Sequence, residues 1–381
     1  MPEFYEFFAG GGMARAGLGA GWTCRFANDF DARKALTYQA NWGTGGELAI
    51  GDIRGLTTAD LPGHADLAWG SFPCQDLSLA GVGAGLKGAR SGTFHPFWDL
   101  MRGLIAEGRA PGIIALENVC GTLTSHAGRD FQVVCQTFAD AGYRLGVLVI
   151  DAALFLPQSR PRLIMIGVHA GVAIDPSLVS PGPIAPFHTA GLRRAVQGLP
   201  AALRAKVLWW RLPAPPPRGR ALADLIEEHP GSVAWHTAAQ TGRLLALMSP
   251  VNLAKLKSAR RAGRRMVGGI YRRTRTDENG AKVQRAEVRF DDVSGCLRTP
   301  AGGSSRQTIV VVHGQTVRTR LISARETARL MGLTDDYKLP TNYNEAYHLT
   351  GDGVAVDVVR HLAGHLLEPL LAVESGVREA A

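Results

Sequence analysis

Phe4-Tyr5-Glu6-Phe7-Phe8-Ala9-Gly10-Gly11-Gly12-Met13 passes from an apolar, β-forming run into a glycine turn and then into a helical pattern over Met13–Gly19. A largely apolar strand followed by glycines and a helix is the opening unit of a doubly wound sheet, where backbone amides can approach a nucleotide-like ligand. Arg15 stands where a GxGxxG fingerprint would need its last glycine, which argues against a dinucleotide phosphate site. Working outward, short apolar runs keep alternating with helical patterns up to Val168. Strands are predicted over Phe4–Phe8, Cys24–Asn28, Asp66–Trp69, Ile113–Glu117, Tyr143–Ile150 and Leu163–Val168. Helices are predicted over Met13–Gly19, Asp31–Ala40, Phe97–Glu107 and Phe131–Ala141. The expected fold class is α/β, a parallel sheet with helices on both faces.

In such sheets ligands meet the carboxyl ends of the strands, and the polar residues of interest fall there. The second strand runs out into Asn28-Asp29-Phe30, an acid suited to both ribose hydroxyls of a nucleoside beside a ring that can stack on its base. Asp52, in Gly51-Asp52-Ile53, is suited to accept from an adenine amino group. Cys74, in Phe72-Pro73-Cys74-Gln75, follows a proline and precedes Gly81, Gly83, Gly85 and Gly88, the composition of a movable flap over Ser78–Ser91. A thiol with an ordinary pKa of ~8.5 is barely ionised near neutrality, so a nucleophile there needs a neighbouring cation. Arg160 and Arg162, in Gln158-Ser159-Arg160-Pro161-Arg162, can supply it. Glu117 ends an apolar strand, where burial would raise its pKa and make it a donor to a ring nitrogen, and Asn118 can fix the adjoining loop. Each residue alone has a plainer reading, as a solvated loop acid or a buried filler. Their order along one sheet edge is what makes them a site.

Bulk properties narrow the class. Hydrophobic content of 46% and charged content of 20% over 381 residues are those of a soluble enzyme of two domains or one elaborated domain. No apolar run reaches the ~20 residues of a membrane span, and the acidic start resembles no targeting segment, so a cytoplasmic protein is expected. Cys24, Cys74, Cys120, Cys135 and Cys296 show neither CxxC spacing nor a histidine cluster, so no metal site or disulfide framework is expected. The net charge of +9 suits a polyanionic partner. It concentrates in Lys255, Lys257, Arg260, Arg261, Arg264, Arg265, Arg272, Arg273 and Arg275, a block without an acid that repels itself unless phosphates screen it. Prolines 176, 181, 183 and 186, then 213 and 215–217, mark a change of texture after Val168. Val288–Val312 reads as short strands around the loop Thr299–Ser305, Ser323 and Glu326 form a capping box, and Val354, Val358, Leu362 and Leu366 make an apolar stripe.

Taken in order, Phe8–Gly12, Asn28–Phe30, Gly51–Ile53, Gly70–Gln75, Arg90–Thr93, Glu117–Val119, Gln158–Arg162, Arg320–Gly332 and Gly351–Val354 resemble the DNA (cytosine-5)-methyltransferase family, of the stand-alone bacterial or phage type. The resemblance covers most of the chain outside about 170–315. It implies a Rossmann-like sheet that uses S-adenosyl-L-methionine, with a smaller, irregular target-recognition domain. The implied division is a catalytic and cofactor domain over 1–170, a target-recognition domain and hinge over 171–335, and a returning C-terminal segment over 336–381. Cys74 would add to C6 of cytosine, Glu117 would hold its N3 edge and amine, and Arg160 and Arg162 would contact the flipped nucleotide and the catalytic loop. Phe8, Ala9, Gly10, Gly12, Asp29, Phe30, Asp52, Ile53, Pro73, Asp352 and Val354 would line the cofactor site, with Thr93 and Phe94 nearby. Asp352 departs from the family's usual Asn. Arg260, Arg261, Arg264, Arg265, Arg272 and Arg273 would meet DNA. The resemblance implies duplex DNA as partner and a monomer, and leaves room for a cognate restriction endonuclease. A tRNA-directed member of the family and a catalytically silent DNA-binding relative remain alternatives.

Overall fold

A computed structural model of the chain describes residues 1–72, 91–276, 280–298 and 306–372. Pro73, Cys74, the flap up to Arg90 and the loop Thr299–Ser305 lie outside the described residues. The chain divides into two compact units: Met1–Asp151, Pro161–Pro216 and Gly353–Ala381 form the first, and Ala152–Arg160 with Pro217–Asp352 form the second.

In the first unit β1 (Glu3–Phe7), α1 (Met13–Leu18), β2 (Thr23–Asp29), α2 (Ala32–Trp42), β3 (Leu48–Ile50), β4 (Leu67–Gly70), α3 (Phe94–Ala106), β5 (Ile113–Val119), α4 (Arg129–Asp140), β6 (Tyr143–Asp151) and β7 (Pro161–His169) follow one another. Among the described residues the strands form a seven-stranded sheet in the order β3-β2-β1-β4-β5-β7-β6. Phe4, Tyr5 and Phe7 of β1 are fully buried because both faces of a central parallel strand are covered. The chain turns from β1 toward β2 and β3 on one side and toward β4 and β5 on the other, which makes the carboxyl end of β1 the topological switch point, where sheets of this kind bind ligands.

One expectation is corrected here. The sheet is not wholly parallel: β7 runs antiparallel to both β5 and β6, with Glu117 opposite Ile164 and Val119 opposite Arg162. The connection Ala152–Arg160 reverses the chain between β6 and β7, so the beginning of β7 reaches the edge where β1, β4 and β5 end. α3 starts at Phe94 rather than Phe97, since Pro96 is tolerated in a first turn.

The proline-rich stretch after Val168 does not open the second unit. It contributes β8 (Val179–Ser180), α5 (Ala190–Gln197), α6 (Ala201–Arg204) and β9 (Trp209–Trp210) to the first. Val149 N donates to Phe187 O at 2.9 Å and Leu208 N to Leu145 O at 2.8 Å, so this segment covers β6, the edge strand of the sheet. The prolines suit an irregular cover that follows an edge without extending the ladder.

The second unit holds α7 (Leu222–Leu225), α8 (Ala238–Ala246), α9 (Pro250–Arg261), β10 (Met266–Thr276), β11 (Lys282–Arg289), β12 (Thr308–His313), β13 (Thr316–Leu321), α10 (Ala324–Leu330) and α11 (Tyr343–Asp352). Its strands form an antiparallel sheet in the order β11-β10-β12-β13, closed over a core that includes Met248, Leu256, Ile270, Val288 and Val310. Ser323 and Glu326 form their reciprocal cap at the start of α10. The chain then returns to the first unit as α12 (Val356–Leu362), and the stripe residues Val354, Val358, Leu362 and Leu366 in and beside it are buried.

Candidate active site

β5 carries its apolar run Ile113–Leu116 through the core and delivers Glu117 and Asn118 at its end. The antiparallel register sets Arg162 diagonally across the ladder, and its Nε lies 2.9 Å from Glu117 Oε1, both side chains largely buried. A guanidinium against a carboxylate in a desolvated setting fixes the orientation of both groups. Asn118 Nδ2 donates to Phe72 O at 3.3 Å, while its Oδ1 accepts from Val119 N at 2.8 Å. The residue just before Pro73-Cys74 is thus tied to the end of β5, and Phe72 packs on Phe94 with ring centroids 5.6 Å apart.

Arg160, expected with Arg162 to contact the flipped nucleotide and the catalytic loop, donates hydrogen bonds to backbone carbonyls. It belongs to the second unit and is 2% exposed, with Nη1 donating to Leu297 O at 3.1 Å and Nη2 to Gly351 O at 3.0 Å. There it braces backbone carbonyls. Gln158 does similar work, donating to Leu330 O at 2.7 Å and accepting from Leu297 N at 3.1 Å. Burial pushes the Cys24 and Cys135 thiols up to about 12 and raises that of Cys120, so these three are kept protonated.

At the end of β1 the backbone is strained where the nucleoside site was expected. Phe8 holds φ 60°, a left-handed conformation rare for a bulky residue, followed by Gly10 at 58° and Gly12 at 76°. Asp29 fixes this turn: Oδ2 accepts from Gly10 N and Oδ1 from Asp31 N, each at 2.8 Å. A carboxylate has about four lone-pair sites, so two remain for ribose hydroxyls. Burial raises the Asp29 pKa. Phe30 leaves its ring 70% exposed, and a Cβ on Gly10 would meet nothing within 4 Å. Asn28 Nδ2 donates to Ala49 O and Gly51 O, both at 3.0 Å, and so sets the loop that carries Asp52 and Ile53. Asp52 is exposed and accepts from Arg54 N at 2.9 Å, whereas Ile53 is buried. An open floor at Gly10, an exposed ring and an acid with spare acceptors fit a nucleoside cofactor such as S-adenosyl-L-methionine.

Sequence reading passed over Glu6. It points into the core beneath the turn, where burial pushes its pKa up to about 8, partly offset by the backbone amides of Arg15 and Ala14. The signal was an acid inside an otherwise apolar strand. Of the other expected cofactor residues, Ala9 donates to Asn28 O at 2.9 Å, Val354 is buried in the first unit, and Asp352 is exposed at the end of α11 in the second.

The basic block separates by role. Arg261, Arg264 and Arg272 are exposed. Arg260 is half-buried, Arg265 donates to Ala223 O at 3.1 Å and Ile226 O at 3.4 Å, and Arg273 pairs with Glu287 at 3.1 Å. Arg273 is exposed like Arg261, Arg264 and Arg272, whereas the Arg265 guanidinium is turned to carbonyls of its own unit. No group of three or more metal-ligating side chains occurs among the described residues, and no helix there is long and apolar enough to cross a membrane.

A family model described as C-5 cytosine-specific DNA methylase matches residues 3–368. The type II methyltransferase M.NlaX of Neisseria lactamica is 28% identical over 378 residues, covering 98% of this chain and 98% of its own. M.HhaI of Haemophilus parahaemolyticus, also a type II methyltransferase, is 24% identical over 363 residues, covering 95% of this chain and 93% of its own. Among solved structures, the Entamoeba histolytica methyltransferase EhMeth is similar with a TM-score of 0.64 at 11% identity, covering 97% of this chain and 99% of its own. A putative DNA modification methyltransferase encoded within an E. coli prophage gives 0.56 at 16% identity, over 98% and 100%. At these identities the structural likeness speaks for the fold alone.

Proposed function

Since the chain belongs to the C-5 cytosine-specific DNA methylases and is a DNA cytosine-5 methyltransferase, we propose that it methylates cytosine in a specific duplex sequence by base flipping and a covalent Cys74 adduct, with S-adenosyl-L-methionine as donor. The observation that carries this reading is the Glu117–Arg162 pair at the end of β5, next to Asn118 holding the residue before Pro73-Cys74.

C5 of cytosine is too electron-poor to attack a methyl donor unaided. Cys74 Sγ adds to C6, and the electron pair of the C5–C6 bond becomes available at C5. Glu117, held by Arg162 through Oε1, faces the exocyclic amine and N3 edge, gives a proton to N3 as the adduct forms and takes it back when the adduct collapses. When bound, the cofactor supplies an electrophilic methyl group on a cationic sulfur. The C5 proton then leaves to a base, the C6–S bond breaks, and the Cys74 thiolate is restored. Asp29, Phe30 and Asp52 take ribose hydroxyls, adenine face and adenine amine, and the strained Phe8 turn presents its backbone to the same ligand. Extruding the target base costs a few kcal/mol of stacking and pairing. Phosphate contacts from the exposed arginines Arg261, Arg264 and Arg272 offset part of that cost.

The test is base-resolution cytosine-modification sequencing of DNA from a methylation-free host expressing the chain or its Cys74→Ala variant. C5-methylcytosine at one short motif, from the wild type only, is the expected result. Unmodified DNA from well-expressed protein overturns the reading and directs attention to RNA.

A further inference from the structure

The glycine turn after β1 is held from a side on which no site residue was expected. Trp42 ends α2, and its indole Nε1 donates to Gly11 O at 2.9 Å. The ring fills the space beside Gly12: a Cβ there would come within 2.2 Å of Trp42 Nε1 and 2.8 Å of its Cδ1. Gly12 thus answers both to its backbone φ of 76° and to the indole beside it. The ring is itself fixed. The Arg15 guanidinium lies 4.9 Å from its centroid and donates to Tyr38 Oη and Glu47 Oε1, each at 2.7 Å. With Asp29 on the Gly10 amide, the turn is gripped at both ends, on its 9–10 and 11–12 peptide groups, by side chains of β2 and α2.

Consecutive glycines lose more backbone freedom on ordering than any other residues, so a ligand that binds a loose glycine turn must offset that loss itself. We propose that Trp42 is a positioning residue for the cofactor: by holding the Gly11 carbonyl it sets the Gly10–Gly12 turn in its ligand-ready form before the nucleoside arrives. This rests on the reading of the turn as the S-adenosyl-L-methionine site. Trp42 itself touches neither substrate nor reacting atoms. It acts through the turn, and its effect belongs to cofactor affinity rather than to the chemical step.

Trp42→Phe keeps a ring for Arg15 to stack on and removes the donor together with the pyrrole edge beside Gly12. The matched control is Trp22→Phe, which removes an indole N–H bonded at 3.0 Å to Glu368 in the same unit, away from the glycine turn. Calorimetric titration of each purified protein with S-adenosylhomocysteine, together with cofactor KM and kcat on DNA, reads the effect. Loss of one hydrogen bond that pre-sets a site predicts a Kd and a cofactor KM raised about fivefold in Trp42→Phe, with kcat unchanged and Trp22→Phe like wild type. An unchanged Kd in Trp42→Phe, or an equal rise in Trp22→Phe, overturns the proposal. Wild-type protein that binds no S-adenosylhomocysteine overturns instead the functional reading beneath it.

Discussion

Arg162 Nε stands 2.9 Å from Glu117 Oε1, two residues brought together only because β7 runs against β5. In a wholly parallel sheet the start of β7 would lie at the opposite edge, far from the end of β5. The pair therefore expresses the topology as well as the chemistry. Arg162→Ala is expected to lower the single-turnover methylation rate about a hundredfold, with Arg162→Lys between it and wild type because an ammonium keeps the charge and loses the fixed planar donor. Equal rates in all three proteins would remove Arg162 from the mechanism.

Glu6 makes a prediction about pH. Its carboxyl is moved by burial from 4.5 to about 8, and among the described residues its Oε2 finds no hydrogen-bond partner. Below pH 4.5 the folded and unfolded chains both hold the proton; between 4.5 and about 8 only the folded chain does. Its contribution to stability is therefore complete at low pH, declines as pH rises through that window, and is flat above it. The difference in Tm between wild type and Glu6→Gln, followed across that range, should show this decline. A pH-independent difference would mean that Glu6 is ionised throughout.

The basic block yields a graded expectation. Arg261→Ala, Arg264→Ala and Arg272→Ala should each weaken DNA binding and flatten the log Kd against log salt plot by about 0.9 where a phosphate contact is lost. Arg265→Ala should instead lower the melting temperature of the protein, because its guanidinium holds the carbonyls of Ala223 and Ile226. Filter binding at several salt concentrations, paired with thermal melts, separates the two behaviours.

Arg320 and Glu326 form an ion pair with both side chains fully buried, and Glu326 also completes the cap of α10. Removing one partner strands a charge. Glu326→Ala is expected to cost about 3–5 kcal/mol in denaturant unfolding, and replacing both residues by apolar ones of similar size to cost much less. If single and double variants lose equal stability, the cap rather than the pair is the source.

The place of Asp352 beside the cofactor is implied by the family resemblance alone and is open to test. A carboxylate in place of the family's usual Asn is expected to favour the ordinary cofactor over analogues carrying extra negative charge. Unchanged selectivity in Asp352→Asn would dismiss that role.

Much of this was legible because parallel strands buried on both faces leave continuous apolar runs, as in Ile113–Leu116, and because the site residues sit where those runs end. The capping box of Ser323 and Glu326 is a local code and reads directly. The direction of β7 does not read directly, since an apolar run looks the same either way. The prolines after Val168 suggested a boundary because their role, covering the edge strand β6, depends on partners far along the chain. The same holds for Trp42 and Arg160, whose polar atoms find their acceptors through tertiary structure, and for the division of the basic block, where exposure rather than composition decides.

The contact of α12 with α1, so close that a Cβ on Gly17 would come within 2.3 Å of Val359, has a consequence for synthesis. The first unit receives its closing helix only after the ribosome has passed through the whole of the second. A nascent chain that already carries the glycine turn, Cys74 and Glu117 still lacks part of its core. An interrupted translation product thus carries the motifs of the first unit without the helix that closes its core.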